Sequence, residues 1–370
     1  MKLIDTLNEA LGVPSGIVEV ASKIYDKIVS GKFTYIINDD EDISMEGNKP
    51  NIIVDTFKIG DEIYNKVMYL IIVKPHPKAY EVDLIGMSAE STITSIGVGK
   101  FANKQDDVIR ITFNFVCPGD NESPSISDKD IRNNINKIFF VSKSNIISNI
   151  THELKHVYDN TKKKTESLPS LSKYKVHNQY IGWGIIPISN FCFSLYFMSV
   201  TETLVRPSEL AALIQTKGIT KQNFLSFLKN NETYSQLNEI KNMTYESFYN
   251  DLFNYIDIIK ELYKIKGKRA FEAFELLSDK EIVDIFLTNI REKLQNEMIE
   301  FMSERILQGM PVELAKMFNR KEELMFLKKA ASKIFKYDNN KDFYSAEINY
   351  NAKKADFVIR KLAKLYSMAK

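Results

Sequence analysis

Strand-like alternation is confined to residues 33–116, and the chain on either side of that block carries helical spacing. Such segregation of the two periods selects an α+β fold over a repeating strand–helix arrangement. Phe33 to Asn38 reads as a first short strand and Ile52 to Ile59 as a second. Met68 to Val73 is a continuous apolar run, as expected of a strand covered on both faces. Tyr80, Val82 and Leu84 alternate with Glu81 and Asp83, and Pro75-His76-Pro77 reads as a hairpin turn between these last two strands, so His76 is a turn residue. Across Val108 to Val116, Ile109, Ile111, Phe113 and Phe115 alternate with Arg110, Thr112 and Asn114, giving a strand with one wet face. The sheet is expected to be mostly antiparallel. Residues 3–30 read as helix with a break at Gly12 to Gly16, where glycine and proline punctuate.

After a loop of turn-forming residues at Cys117 to Pro124, helices take over. Ser127 with Asp130 three residues on has the form of a capping box, and Ile131, Ile135, Ile138 and Phe139 follow at helical spacing. That helix runs almost directly into Ser144 to Asp159, which contains His152-Glu153-Leu154-Lys155-His156. Residues four apart on a helix share a face, so His152 and His156 can grip one metal ion, with Glu153 as the base beside it. Ile146, Ile147, Ile150, Leu154 and Val157 fall on the opposite arc and are expected to be buried.

A chain of 370 residues with 44% hydrophobic and 26% charged residues is a globular protein larger than one ordinary core. We expect residues 1–219 to form the metal-site domain, with N-terminal helices over 1–30, the sheet over 33–116 and site helices over 127–217. Residues 220–370 are expected to form an α-helical domain. The net charge of +2 gives no case for nucleic acid or an anionic membrane as partner. Cys117 and Cys192, far apart in apolar company, are expected to be buried free thiols, and the acidic N-terminus does not have the form of a signal peptide, which points to a cytoplasmic protein. Ile181 to Val200 is rich in apolar residues, but Gly182, Gly184, Pro187 and Asn190 interrupt it. A buried helix beside the active site is the expectation there, with no membrane span.

A catalytic zinc usually takes three protein ligands and leaves one position to water. A third histidine six residues after His156 is excluded, because Lys162 stands there. His177, the downstream histidine, sits without a helical partner pattern. Carboxylates remain, and Thr201 to Ala212 offers two: Glu202, spaced for an ion pair with Arg206, and Glu209. Pro207 suits the first turn of a helix, which would set Glu209 near its start. Asp159 is a candidate to orient a ligand histidine.

The His-Glu-x-x-His helix followed by this acidic segment resembles the gluzincin family of zinc metallopeptidases, over roughly residues 30–215. The Pro207-Ser208-Glu209-x-x-Ala212 segment is similar to that of uncharacterised phage-encoded proteins with the same histidine motif. The Asn-Glu-x-x-x-Asp form of the thermolysin-like group is missing, since position 206 is arginine. The resemblance implies a zincin-like fold, one zinc ion (Zn2+) held by His152, His156 and Glu209, and peptide-bond hydrolysis of a peptide or protein substrate with Glu153 as general base. An oxyanion donor is expected from the region of Tyr174, His177 and Tyr180, and the strand Val108 to Val116 is expected to be the edge on which an extended peptide adds. Two other readings stay open: a phage or bacterial structural or cargo protein that keeps a zincin scaffold without proteolysis, which would place it in a virion, and a peptidoglycan endopeptidase.

Overall fold

A computed structural model of the chain describes residues 13–37, 51–95, 105–120, 123–163, 184–198, 200–265, 276–308, 325, 328–329 and 337–368. The chain divides into two compact units. The first is Met1–Glu166 with Leu204–Leu228 and Ala363–Lys370, and the second is Ser167–Thr203 with Lys229–Leu362. His177, Tyr174 and Tyr180 lie outside the described residues.

The first unit is built on a five-stranded mixed sheet. After helix α1 (Ile17–Ser30) come strands β1 (Ile36–Ile37), β2 (Asn51–Ile59), β3 (Glu62–His76), β4 (Asp83–Ser95) and β5 (Gln105–Pro118). The order is β1-β3-β5-β4, with β2 also on β3. Strand β3 takes β2 antiparallel along Glu62 to Tyr69 and β1 parallel at Ile72 and Val73. Its other side pairs parallel with β5, and β4 closes the far side of β5 antiparallel.

This topology corrects three expectations. The sheet is mixed rather than mostly antiparallel. Strands β3 and β4 do not form a hairpin around His76, because β5 lies between them; His76 instead ends β3, exposed, and its Nδ1 accepts from the N–H of Lys78 at 3.1 Å. Strand β5 is interior, so the edge role passes to β4, which pairs with β5 alone among the described strands. A wet face tells which side of a sheet meets water; it does not tell which strand lies next door.

Helices α2 (Asp128–Val141) and α3 (Lys143–Lys163) follow as the spacing predicts, with only Ser142 between them. Ser127 caps α2, its Oγ accepting from the N–H of Asp130 at 3.2 Å and donating to the Asp130 carboxylate at 2.6 Å. The apolar side of β5 packs on α2, with the Phe113 and Phe115 rings meeting Phe139 edge-on at 5.5 and 6.0 Å. Tyr25 of α1 donates to the Phe139 carbonyl at 2.9 Å. The expected apolar arc of α3 is buried throughout: Ile146, Ile147, Ile150, Leu154 and Val157.

The hairpin between β2 and β3 turns on Gly60 and Asp61 and docks on α3. Gly60 adopts φ +60°, its N–H donates to the Ser15 carbonyl at 2.8 Å, and a Cβ there would lie 2.9 Å from the Tyr158 hydroxyl. Tyr158 in turn donates to Asp61 at 2.9 Å. Helix α3 is therefore held on several sides.

The second unit is helical in its described residues. The apolar run contributes α4 (Ile186–Phe197), twelve residues long, and no described helix is long and apolar enough to cross a membrane. Helix α4 packs within this unit: Phe191 meets Phe248 at 5.4 Å and Tyr344 at 5.0 Å. Helix α5 (Val200–Thr216) comes next and carries the chain back into the first unit. Helix α6 (Phe224–Lys229) lies in the first unit up to Leu228, and the remaining elements include α7 (Glu232–Asn242), α8 (Tyr245–Asp251), α9 (Ile256–Ile265), α10 (Asp279–Gln308) and α11 (Asn340–Met368). Cys117 and Cys192 are free and buried.

Candidate functional site

The face of α3 opposite its apolar arc brings His152 and His156 together. Their Nε2 atoms lie 3.1 Å apart, and the rings meet edge-on with centroids 4.7 Å apart. A metal at the usual zinc–histidine distance of roughly 2.0–2.1 Å from each nitrogen needs the pair about 3.2–3.4 Å apart, so the two donors fit such an ion closely. Glu153 stands beside them, with Oε1 3.9 Å from His152 Nε2. Its other oxygen accepts from the backbone N–H of Ala89 on β4 at 3.0 Å.

Glu209 joins the cluster from α5, but it meets His152 at Nδ1 rather than at Nε2. Oε1 lies 2.7 Å from Nδ1. Arg206, one turn earlier, places Nη1 2.9 Å from the same oxygen and 3.2 Å from its twin. A carboxylate oxygen this close to Nδ1 calls for a proton between the two; with that proton on the nitrogen, a neutral ring keeps its lone pair on Nε2, facing His156. That is the tautomer a metal ligand needs. Burial alone would raise the Glu209 carboxyl; contact with His152 and the Arg206 charge outweigh it and hold the group below its ordinary range.

Local sequence explains why α5 reaches this place. Ser208, Ala211 and Ala212 are small and buried, and Ser148 of α3 donates to the Glu209 carbonyl at 3.1 Å, tying the two helix backbones together one turn before His152. The helix begins earlier than Pro207 implied. Pro207 is interior to Val200–Thr216, so Glu209 sits in mid-helix, and the N–H that would reach the Thr203 carbonyl is missing. Glu202 lies two turns before Glu209 in the same helix, and its side chain is outside the described residues.

Asp159 does not take up the orienting role considered for it. Both its oxygens lie 2.6 Å from Lys155 Nζ, a part-buried i,i+4 pair on the flank of the histidine face. Sequence spacing could find a carboxylate on the ligand side of α3. It missed that Lys155, inside the motif itself, would claim it. Among the described residues no group of three or more His, Cys, Asp or Glu forms a complete metal cage.

No family model, curated protein or solved structure matches the chain. The functional reading therefore rests on the site's own chemistry.

Proposed function

We propose that the first unit carries a zinc-dependent peptidase centre of the gluzincin kind, with Glu153 as general base. The observation that carries this reading is the convergence of His152 Nε2 and His156 Nε2 at 3.1 Å beside the Glu153 carboxylate. Both histidines would hold the ion through Nε2. When bound, zinc supplies Lewis-acid polarisation of a carbonyl and a lowered pKa for water. Glu153 would take the proton from the attacking water and deliver it to the leaving amine.

The position of Glu209 supports an orienting role in place of the ligand role implied by the resemblance. A carboxylate on the far nitrogen of a ligand histidine fixes its tautomer and raises its basicity. An extended peptide finds its natural seat along β4. The Ala89 N–H is directed away from β5 into its bond with Glu153, and by strand alternation the Met87 N–H, which faces the same way, is the donor proposed for the peptide.

Elemental analysis and a peptide-library digest test the proposal together. We expect near-equimolar zinc in the wild type, little in His156→Ala, and cleavage that disappears in Glu153→Gln while its zinc stays. Zinc lost from Glu202→Gln but kept in Glu209→Gln would give the third ligand to Glu202. Wild-type protein without zinc or cleavage would favour a scaffold role instead.

A further inference from the structure

We propose that Arg206 is a positioning residue that acts on His152 through Glu209. This inference rests on the zinc-site reading above and extends it to a residue that the histidine motif does not contain. The chain of contacts is short: Arg206 Nη1 to Glu209 Oε1 at 2.9 Å, and Glu209 Oε1 to His152 Nδ1 at 2.7 Å. All three side chains are mostly enclosed, with 20%, 12% and 9% of their surface exposed.

Enclosure gives the contact its importance. A carboxylate in a poorly solvated place, opposed only by a neutral imidazole, has two low-cost escapes: it rotates toward solvent or it withdraws from the ring. Arg206 blocks both. Its Nη1 spans the two oxygens, at 2.9 and 3.2 Å, and so sets the plane of the carboxylate as well as its charge. The helix spacing makes this a local device, since positions 206 and 209 are one turn apart. The backbone is fastened independently by Ser148 to the Glu209 carbonyl, so Arg206 is not needed to bring α5 to α3. Its role is to aim the carboxylate at Nδ1, and thereby to leave the His152 Nε2 lone pair directed at His156.

The arrangement also accounts for arginine where the thermolysin-like pattern would have aspartate. With Glu209 already facing the ring, a second acid at position 206 would repel it. A cation there holds it.

The test uses the full chain, with 15N-labelled histidine, in its zinc-free and zinc-loaded forms. Only four rings contribute signals, so His152 is assignable by loss of its signal in His152→Ala. In zinc-free wild type we expect His152 to show the Nδ1-protonated tautomer. Arg206→Met should shift it toward a tautomer mixture and weaken zinc binding, measured by chelator competition, by roughly 10–100-fold. Arg206→Lys, which keeps the charge but not the planar fork, should recover part of both effects. If Arg206→Met fails to fold, Arg206→Lys and Glu209→Gln carry the same two readouts. A His152 tautomer and a zinc affinity unchanged in all folded variants would overturn the positioning role while leaving the zinc site standing. A wild type that binds no zinc would sink the zinc reading, and the tautomer of the zinc-free ring would still decide for or against Arg206.

Discussion

The carboxylate of Glu153 accepts a hydrogen bond from the backbone N–H of Ala89, 64 residues earlier in the chain, at 3.0 Å. The proposed base is thus anchored to the outer strand of the sheet and not only to its own helix. Glu153→Gln keeps an acceptor for Ala89 but cannot take a proton. It should fold, retain zinc and lose peptide cleavage by roughly 10²-fold or more. Glu153→Asp keeps the acid and withdraws it by one methylene from Ala89, and a comparable loss is expected from misplacement alone. Equal cleavage by wild type and Glu153→Gln in the digest would rule out the assigned base.

Gly60→Ala should destabilise the first unit by about 1–3 kcal/mol. The position has φ +60° and a Cβ would meet the Tyr158 hydroxyl at 2.9 Å, so backbone and packing object together. Tyr158→Phe removes the hydrogen bond to Asp61 and should cost about 1 kcal/mol. Hydrogen exchange over α3 measures both; a Gly60→Ala protein with unchanged protection there would refute the docking role of this hairpin.

Burial raises the Glu347 carboxyl above its ordinary value, against a smaller lowering by Lys354. The sign follows directly. A raised acid binds its proton more tightly in the folded state, so its destabilising contribution is absent well below the ordinary carboxyl range and grows as pH rises through the raised value. Glu347→Gln should therefore be more stable than wild type at pH 7–8, with the gain shrinking toward pH 4. Melting temperatures across that range provide the check; a gain that increases toward acid would contradict the sign.

Phe191→Ala should cost the second unit about 3–5 kcal/mol, the usual price of deleting a buried aromatic ring. The ring contacts Phe248 and Tyr344, so amide protection should fall in α8 and α11 as well as in α4. Loss confined to α4 would show that this cluster does not unite the helices.

Much of this was legible because it is local. The Ser127 cap, the apolar arc of α3 and the meeting of His152 with His156 all depend on residues within a turn or two of each other. Strand β4 was largely missed because Gly86, Ser88, Ala89, Ser91 and Thr92 supply no alternation of large apolar side chains. Its neighbours were misjudged because pairing β5 between β3 and β4 is a long-range choice that no local period records. At Glu209 the carboxylate was visible in the sequence, but which nitrogen of His152 it meets depends on how far α5 extends before Pro207, and that was read too short.

The packing of Phe191 against Tyr344 has a consequence during synthesis. A ribosome adding roughly 5–20 residues per second needs about 8–30 s to travel from one to the other. Throughout that interval the nascent chain carries an apolar helix with at least one partner, Tyr344, not yet translated. A chain stopped after residue 219 would keep that condition permanently. Shortened versions made to isolate the histidine motif should therefore aggregate or recruit chaperones, whatever the state of the motif itself.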